Sequence, residues 1–198
     1  MSVTLNPADV AGSTPTFSNG NRSIASSVDS SGSWARSTSG STKPFYAECV
    51  YDNTNNEYGI CSATQAINTL GDIEPNKGVA IYTNATHWFW YSDNIPQYGQ
   101  FSTGTGSVGA RLCVAVDPVN GRAWARLNNG NWNNSGTANP ATNTEGINIS
   151  DFGSKLYMVA KSSFTYLTAT IYFASADWTY SPPSGFGPIP RRRIITVG

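Results

Sequence analysis

Catalysis needs particular residue types at workable spacings, and this 198-residue chain offers few of them. The single histidine, His87, has no serine or cysteine in a nucleophile turn near it, and no Gly-x-Ser-x-Gly occurs, so a hydrolytic triad has no support. Glycoside hydrolysis needs two facing carboxylates about 5 to 9 Å apart. The only glutamates are Glu48, Glu57, Glu74 and Glu145, and no strand-like segment carries two acids at alternate positions. A lectin-like glycosidase would have to rest on Glu48 or Asp117. One histidine and three scattered cysteines make no zinc spacing, and no Asp-x-Asp-x-Asp-Gly loop exists for calcium, so neither a metal nor a cofactor is expected. Asn53 to Glu57 reads as a polar hairpin turn, the alternative being a weak cation site.

The stretch left over is His87-Trp88-Phe89-Trp90-Tyr91. Strand residues alternate faces, so Trp88 and Trp90 share one side while His87, Phe89 and Tyr91 share the other. One side can fill a core, and the other then exposes large rings, where sugars stack or a neighbouring subunit docks. Tyr98 and Trp132, in or near loops, extend that surface, and the amides of Asn128 to Asn134 suit sugar hydroxyls. His87, Trp88, Trp90, Tyr98 and Trp132 are therefore the candidate ligand-binding residues. The alternative is that Trp88 and Trp90 are both buried between their sheet and loop 92 to 109. A second asymmetric feature closes the chain. Arg191, Arg192 and Arg193 precede the strand-prone run Ile194-Ile195-Thr196-Val197, a candidate docking segment for the sheet edge of another chain, or else a frayed terminus.

Composition narrows the classes. Charged residues make up 12% of positions against about 25% in an average domain, net charge is zero, and the pI is near 6.5. No basic footprint exists for nucleic acid or an anionic membrane. Apolar residues fill 39% and aromatics 12% of the chain, enough for a core. No run reaches the roughly 18 to 20 apolar residues of a membrane span, and residues 1 to 20 lack the pattern of a signal peptide. Cys49, Cys61 and Cys113 read as small buried apolar residues. A bond between Cys49 and Cys61 is conceivable if residues 45 to 51 and 57 to 63 form a hairpin.

The elements that must position these residues are strands. Apolar residues recur with period two in short runs bounded by Gly, Asn, Asp, Ser and Pro. The candidates are Val3 to Leu5, Thr16 to Phe17, Arg22 to Ala25, Ser33 to Arg36, Phe45 to Tyr51, Tyr58 to Cys61, Gly78 to Tyr82, His87 to Tyr91, Arg111 to Val116, Arg122 to Leu127, Lys155 to Lys161 and Thr168 to Phe173. Arg111 to Val116 is apolar on both faces, as a central strand should be. Residues 92 to 109 and 133 to 148 read as polar loops, and Asn129-Gly130 as a hairpin turn. Phe186, after Pro182-Pro183, reads as a plug at a sandwich edge. The fold class is all-β, a two-sheet antiparallel sandwich over residues 1 to 189 with a tail at 190 to 198.

The order of these pieces resembles the SPRY domain. Phe45-Tyr46-Ala47-Glu48-Cys49-Val50 is similar to its aromatic-x-Glu-Val strand, Tyr58-Gly59-Ile60 to its Val-Gly-Ile strand, and Val114-Ala115-Val116-Asp117 through Gly121 to its Val-Ala-Leu-Asp hairpin. Asn129-Gly130-Asn131-Trp132 and Asn139-Pro140-Ala141-Thr142-Asn143 resemble the version found in bacteriophage and prophage structural proteins. Tyr180-Ser181-Pro182-Pro183-Ser184-Gly185-Phe186 is similar to the family's terminal Tyr-x-Pro-Pro-x-Gly-Phe. Ala123 and Ala125 depart from the pattern, standing where larger apolar residues are usual, and no Asn-Phe-Gly follows the last strand. The resemblance implies a concanavalin-like jelly roll, no catalysis, and recognition of a protein or glycan through loops at one end. The expectation is a non-enzymatic virion component, on a tail, fibre or capsid surface, that binds a host surface polysaccharide or neighbouring virion proteins. It would be a homo-oligomer, a trimer being one form, without nucleic acid or membrane insertion. The alternatives are a purely structural oligomeric virion subunit and the lectin-like glycosidase.

Overall fold

Alternating apolar and small polar residues, rich in β-branched and aromatic types, favour strands over helices. The computed structural model describes residues 3–28, 32–50, 56–65, 77–83, 87–91, 100–103 and 108–190, with the backbone alone for 82, 83, 87–89, 91 and 100–103. Among the described residues are fourteen strands, four single-turn 3-10 helices and no α-helix.

The strands form two seven-stranded sheets whose ladders are all antiparallel. In spatial order the first sheet is β1 (Leu5–Gly12), β4 (Ser33–Ser37), β13 (Leu156–Ser162), β6 (Asn56–Ser62), β7 (Gly78–Thr83), β8 (His87–Tyr91) and β9 (Gln100–Thr103). The second is β12 (Ile147–Asn148), β11 (Arg122–Leu127), β10 (Arg111–Asp117), β5 (Phe45–Val50), β14 (Ala169–Tyr172), β3 (Ser23–Ala25) and β2 (Thr16–Ser18). The core lies between them. Phe45, Ala47, Cys49, Leu112, Val114 and Val116 of the second sheet join Tyr58, Ile60, Val79, Ile81, Leu156 and Met158 of the first, all fully buried. The small Ala123 and Ala125 of β11 also face this core. β10 sits inside its sheet between β11 and β5, and Leu112 to Asp117 are all buried, as its two apolar faces required.

Several expectations need correction. Residues 45–50 and 56–62 are not the two arms of a hairpin, because β5 and β6 belong to different sheets. Cys49 lies opposite Leu112 and Ile171 while Cys61 lies opposite Tyr157 and Gly78, so the two cannot be cross-strand partners, and both are free. Asn129-Gly130 does not turn one strand into another. The chain turns at Asn128, in the left-handed region at φ 53°, and enters a 3-10 turn at Trp132–Asn134. β9 falls inside the expected loop 92 to 109, and β12 inside the expected loop 133 to 148. β1 runs to Gly12, seven residues beyond its expected end at Leu5, despite Pro7; as an edge strand it tolerates the missing donor. Phe186 packs on the outer face of the second sheet, edge to face with Trp124 at 6.2 Å, rather than plugging an edge.

Trp90 is the decisive correction for the site. It lies opposite Ile81 in the β7–β8 ladder, is fully buried in the intersheet core, and donates its indole N–H to Asn133 Oδ1 at 3.2 Å. A ring sealed in the core cannot be an exposed anchor, so Trp90 leaves the ligand-binding set. We predict that Trp90→Ala lowers unfolding free energy by about 3–5 kcal/mol and Trp90→Phe by less, measured by chemical denaturation; an unchanged midpoint for Trp90→Ala would contradict this placement.

Candidate functional site

The outer face of the second sheet begins as alternate residues. On β5, Tyr46 and Glu48 point away from the core; on β10, Cys113 and Ala115; on β11, Trp124 and Arg126. Cys113 stands opposite Glu48 on one side and Arg126 on the other. Exposing a tyrosine, a tryptophan and a carboxylate in one patch would waste apolar area, and two segments cover it: the loop after β11 and the chain after β14. Trp132, Ala138, Trp178, Tyr180 and Phe186 supply the covering side chains.

Glu48 fixes the second cover. It is completely buried, and its carboxylate accepts the backbone N–H of Thr179 at 2.8 Å, the N–H of Tyr180 at 2.7 Å and the Tyr46 hydroxyl at 3.0 Å. Arg111 Nε lies 3.7 Å away and also donates to Thr179 Oγ1 at 3.1 Å. Burial pushes the Tyr46 phenol well above its ordinary range, so it serves Glu48 as a neutral donor. Around this point Trp178 meets Tyr46 edge to face at 4.8 Å, and the Arg111 guanidinium lies 4.4 Å over the Tyr172 ring. The carboxylate is thus consumed by the fold. Asp117, the other acid on which a glycosidase would rest, accepts Val119 N–H at 2.9 Å and Asn120 N–H at 3.1 Å and shapes the β10–β11 turn.

Asn133 fixes the first cover. Its backbone adopts a left-handed φ of 46°, which asparagine tolerates better than most residues. Its Oδ1 accepts from Ala125 N–H at 3.0 Å as well as from Trp90, and its Nδ2 donates to the Glu145 carbonyl at 2.9 Å. Glu145 in turn accepts the hydroxyls of Ser135 and Thr137, which hold its exposed carboxyl below the ordinary glutamate range. Gly146 closes the loop where a side chain could not fit: a Cβ there would stand 2.6 Å from the Trp124 ring.

Between the two covers lies a cleft of about 440 Å³, walled on one side by Arg126, Asn129 and Trp132 and on the other by Thr179 to Pro183. The Arg126 guanidinium stacks 4.4 Å over the Trp132 ring and reaches the Ser181 carbonyl at 3.5 Å. Burial pushes the Cys113 thiol up to about 11, so the group beside Arg126 stays neutral. What the cleft offers is recognition chemistry: a cation, short hydroxyls, an amide and two proline rings.

Of the expected ligand-binding residues whose side chains are described, Trp132 lies in this cleft and Trp90 does not. Trp90 is in the core, though its indole reaches the Trp132–Asn134 turn through Asn133. The side chains of His87 and Trp88, and the whole of Tyr98 and of Arg191, Arg192, Arg193, Ile194 and Ile195, lie outside the described residues. Sequence reading missed Arg126 and the Thr179–Pro183 wall. The alternation of Trp124 and Arg126 held the first signal, since it puts the arginine on the tryptophan's face.

No family model and no curated protein matches the chain. Solved structures do. The SPRY domain of human HERC1 superposes with a TM-score of 0.60 at 11% identity, covering 84% of this chain and 96% of that one. The TRIM65 PSpry domain gives a TM-score of 0.58 at 10% identity, covering 87% and 90%.

Two predictions test the site's construction. Glu48→Ala should cost about 3 kcal/mol and expose the Thr179 and Tyr180 amides to rapid hydrogen exchange; continued protection of those amides would show that the carboxylate does not hold the segment. Ser135→Ala/Thr137→Ala should raise the Glu145 titration toward the ordinary glutamate range, read by carboxyl carbon NMR. Because the folded value is the lowered one, the loop's gain from these hydrogen bonds is present above the ordinary range and is lost as pH falls through the lowered value.

Proposed function

We propose that this chain, which has the fold of SPRY domains, is a non-enzymatic binding module whose ligand sits in the Arg126–Trp132 cleft. It works on the surface of a bacteriophage virion, on a tail, fibre or capsid, and the ligand is a host surface glycan or a neighbouring virion protein. The observation that carries the reading is the cleft itself. An arginine over an indole, facing two prolines and a row of polar side chains, is preorganised for contact, and both walls are held by hydrogen bonds within the fold rather than by the ligand. The carboxylates that a hydrolase would need, Glu48 and Asp117, are occupied with structure. The virion setting is supported by the sequence, through the Asn129-Gly130-Asn131-Trp132 and Asn139-Pro140-Ala141-Thr142-Asn143 motifs in order, and by the sparse charge.

Two variants test the reading. Ser181→Tyr plugs the cleft from an exposed position, and Trp132→Ala removes its aromatic wall. Wild type should bind intact candidate host cells or their extracted polysaccharide saturably, with a loss of tenfold or more in Ser181→Tyr at an unchanged melting temperature. Undiminished binding by both variants would remove the cleft from the mechanism. Absence of cell binding together with a stable trimer would favour the structural subunit instead.

A further inference from the structure

Three of the five described arginines are met by a carboxylate, and Arg122 and Arg126 are not. Arg22 has Asp177 at 2.8 Å, Arg36 has Asp9 at 2.7 Å, Arg111 has Glu48 at 3.7 Å, and Lys161 has Glu57 at 2.5 Å. Arg126, like Arg122 on the same strand, has no carboxylate within ion-pair reach among the described residues, and of the two only Arg126 lines the cleft. Its one hydrogen bond, to the Ser181 carbonyl, is long, and its Nε is buried without an acceptor. Its cross-strand neighbour Cys113 is a neutral thiol, and the oxygens of Glu48, one strand further on, are taken by Tyr46, Thr179, Tyr180 and Arg111. A partly desolvated guanidinium 4.4 Å over an indole, with no internal counter-ion, is poised for an anion that accepts from its planar fork.

The rest of the cleft says what the anion is attached to. Thr179, Tyr180, Ser181 and Asn129 line it with hydroxyls and an amide, and Pro182 and Pro183 add two apolar rings. That is a poor receptacle for an apolar peptide anchor. Strand addition is also closed off beside it, because the outward-facing N–H of Ala125 on β11 is already bound by the Asn133 amide. Hydroxyl-rich walls, a proline plate for the C–H face of a ring, and an unpaired guanidinium fit one class together. Resting on the binding-module reading of the same cleft, we propose that it takes the carboxylate-bearing sugar units of an acidic polysaccharide, with the carboxylate on Arg126 and the ring against the Pro182–Pro183 wall.

The test titrates isotope-labelled wild type with glucuronate, galacturonate, mannuronate and N-acetylneuraminate, and with glucose, acetate and a tri-aspartate peptide as comparisons. The Trp132 indole and Arg126 Nε signals are the readout. At least one of the four acid sugars should shift both saturably, at about tenfold or more lower concentration than glucose or acetate. Arg126→Gln should abolish the shift of the Trp132 signal, and Arg126→Lys should retain part of it; Ser181→Tyr should block binding without touching the arginine, which covers the case that Arg126→Gln fails to fold. No saturable shift with any acid sugar, equal binding of glucose, or tighter binding of the peptide overturns the proposal. If cell binding is lost in Ser181→Tyr while no acid sugar binds, the acid-sugar assignment falls and the cleft reading stands. If Ser181→Tyr changes neither, both fall.

Discussion

A single buried carboxylate organises the outer face of the second sheet. Glu48 lies in the middle of a sheet, out of reach of water, and would be intolerable there without partners. Its oxygens are met by two consecutive backbone amides, a phenol and a guanidinium, and the amides belong to a segment more than a hundred residues downstream. The need to satisfy one charge therefore dictates where the chain after β14 must lie. That segment seals the aromatic patch on the second sheet and forms one wall of the cleft. The order of dependence runs from a buried charge to a covering segment, and from the segment to one wall of the cleft.

The opposite wall follows the same logic with a neutral group. The Asn133 amide joins a core indole of one sheet, a backbone amide of the other, and the carbonyl that ends its own loop. A left-handed turn would be a weak foundation for a binding surface if it stood alone. Here the turn is fixed at three points, so Trp132 and Arg126 face Pro182 and Pro183 before any ligand arrives. Preorganisation of this kind leaves less ordering entropy to be lost on binding.

Much of the fold was legible in the sequence, because alternation is a local property and burial on one face enforces it. β10 announced its interior position through apolar residues on both faces, and the Asp117-to-Gly121 turn through its residue types. What failed was pairing. Strands β5 and β6 are neighbours in the chain and both alternate cleanly, but nothing local tells whether a connection stays in its sheet or crosses to the other. β1, with Pro7 and Asp9, and β9, in a run of small polar residues, were hidden because edge strands need less apolar patterning. The site was half visible. Trp132 drew notice as a large ring in a polar turn, whereas Trp90 looked the same by composition and proved to be core. Glu48 gave no sign of its role, since a strand glutamate ordinarily faces solvent, and its partners are revealed only when distant segments meet.

The Asn133 amide has one more consequence. At the outer margin of β11 it stands in for the backbone of an absent neighbouring strand, taking the hydrogen bond that a further strand would have taken. An outside chain thus finds that stretch of margin occupied, which guards against sheet-to-sheet polymerisation where copies are crowded. The span between Asn133 and Glu145 is tied down as well, since Ser135 and Thr137 hold the Glu145 carboxylate and the Thr144 carbonyl accepts the Trp124 indole N–H at 2.8 Å.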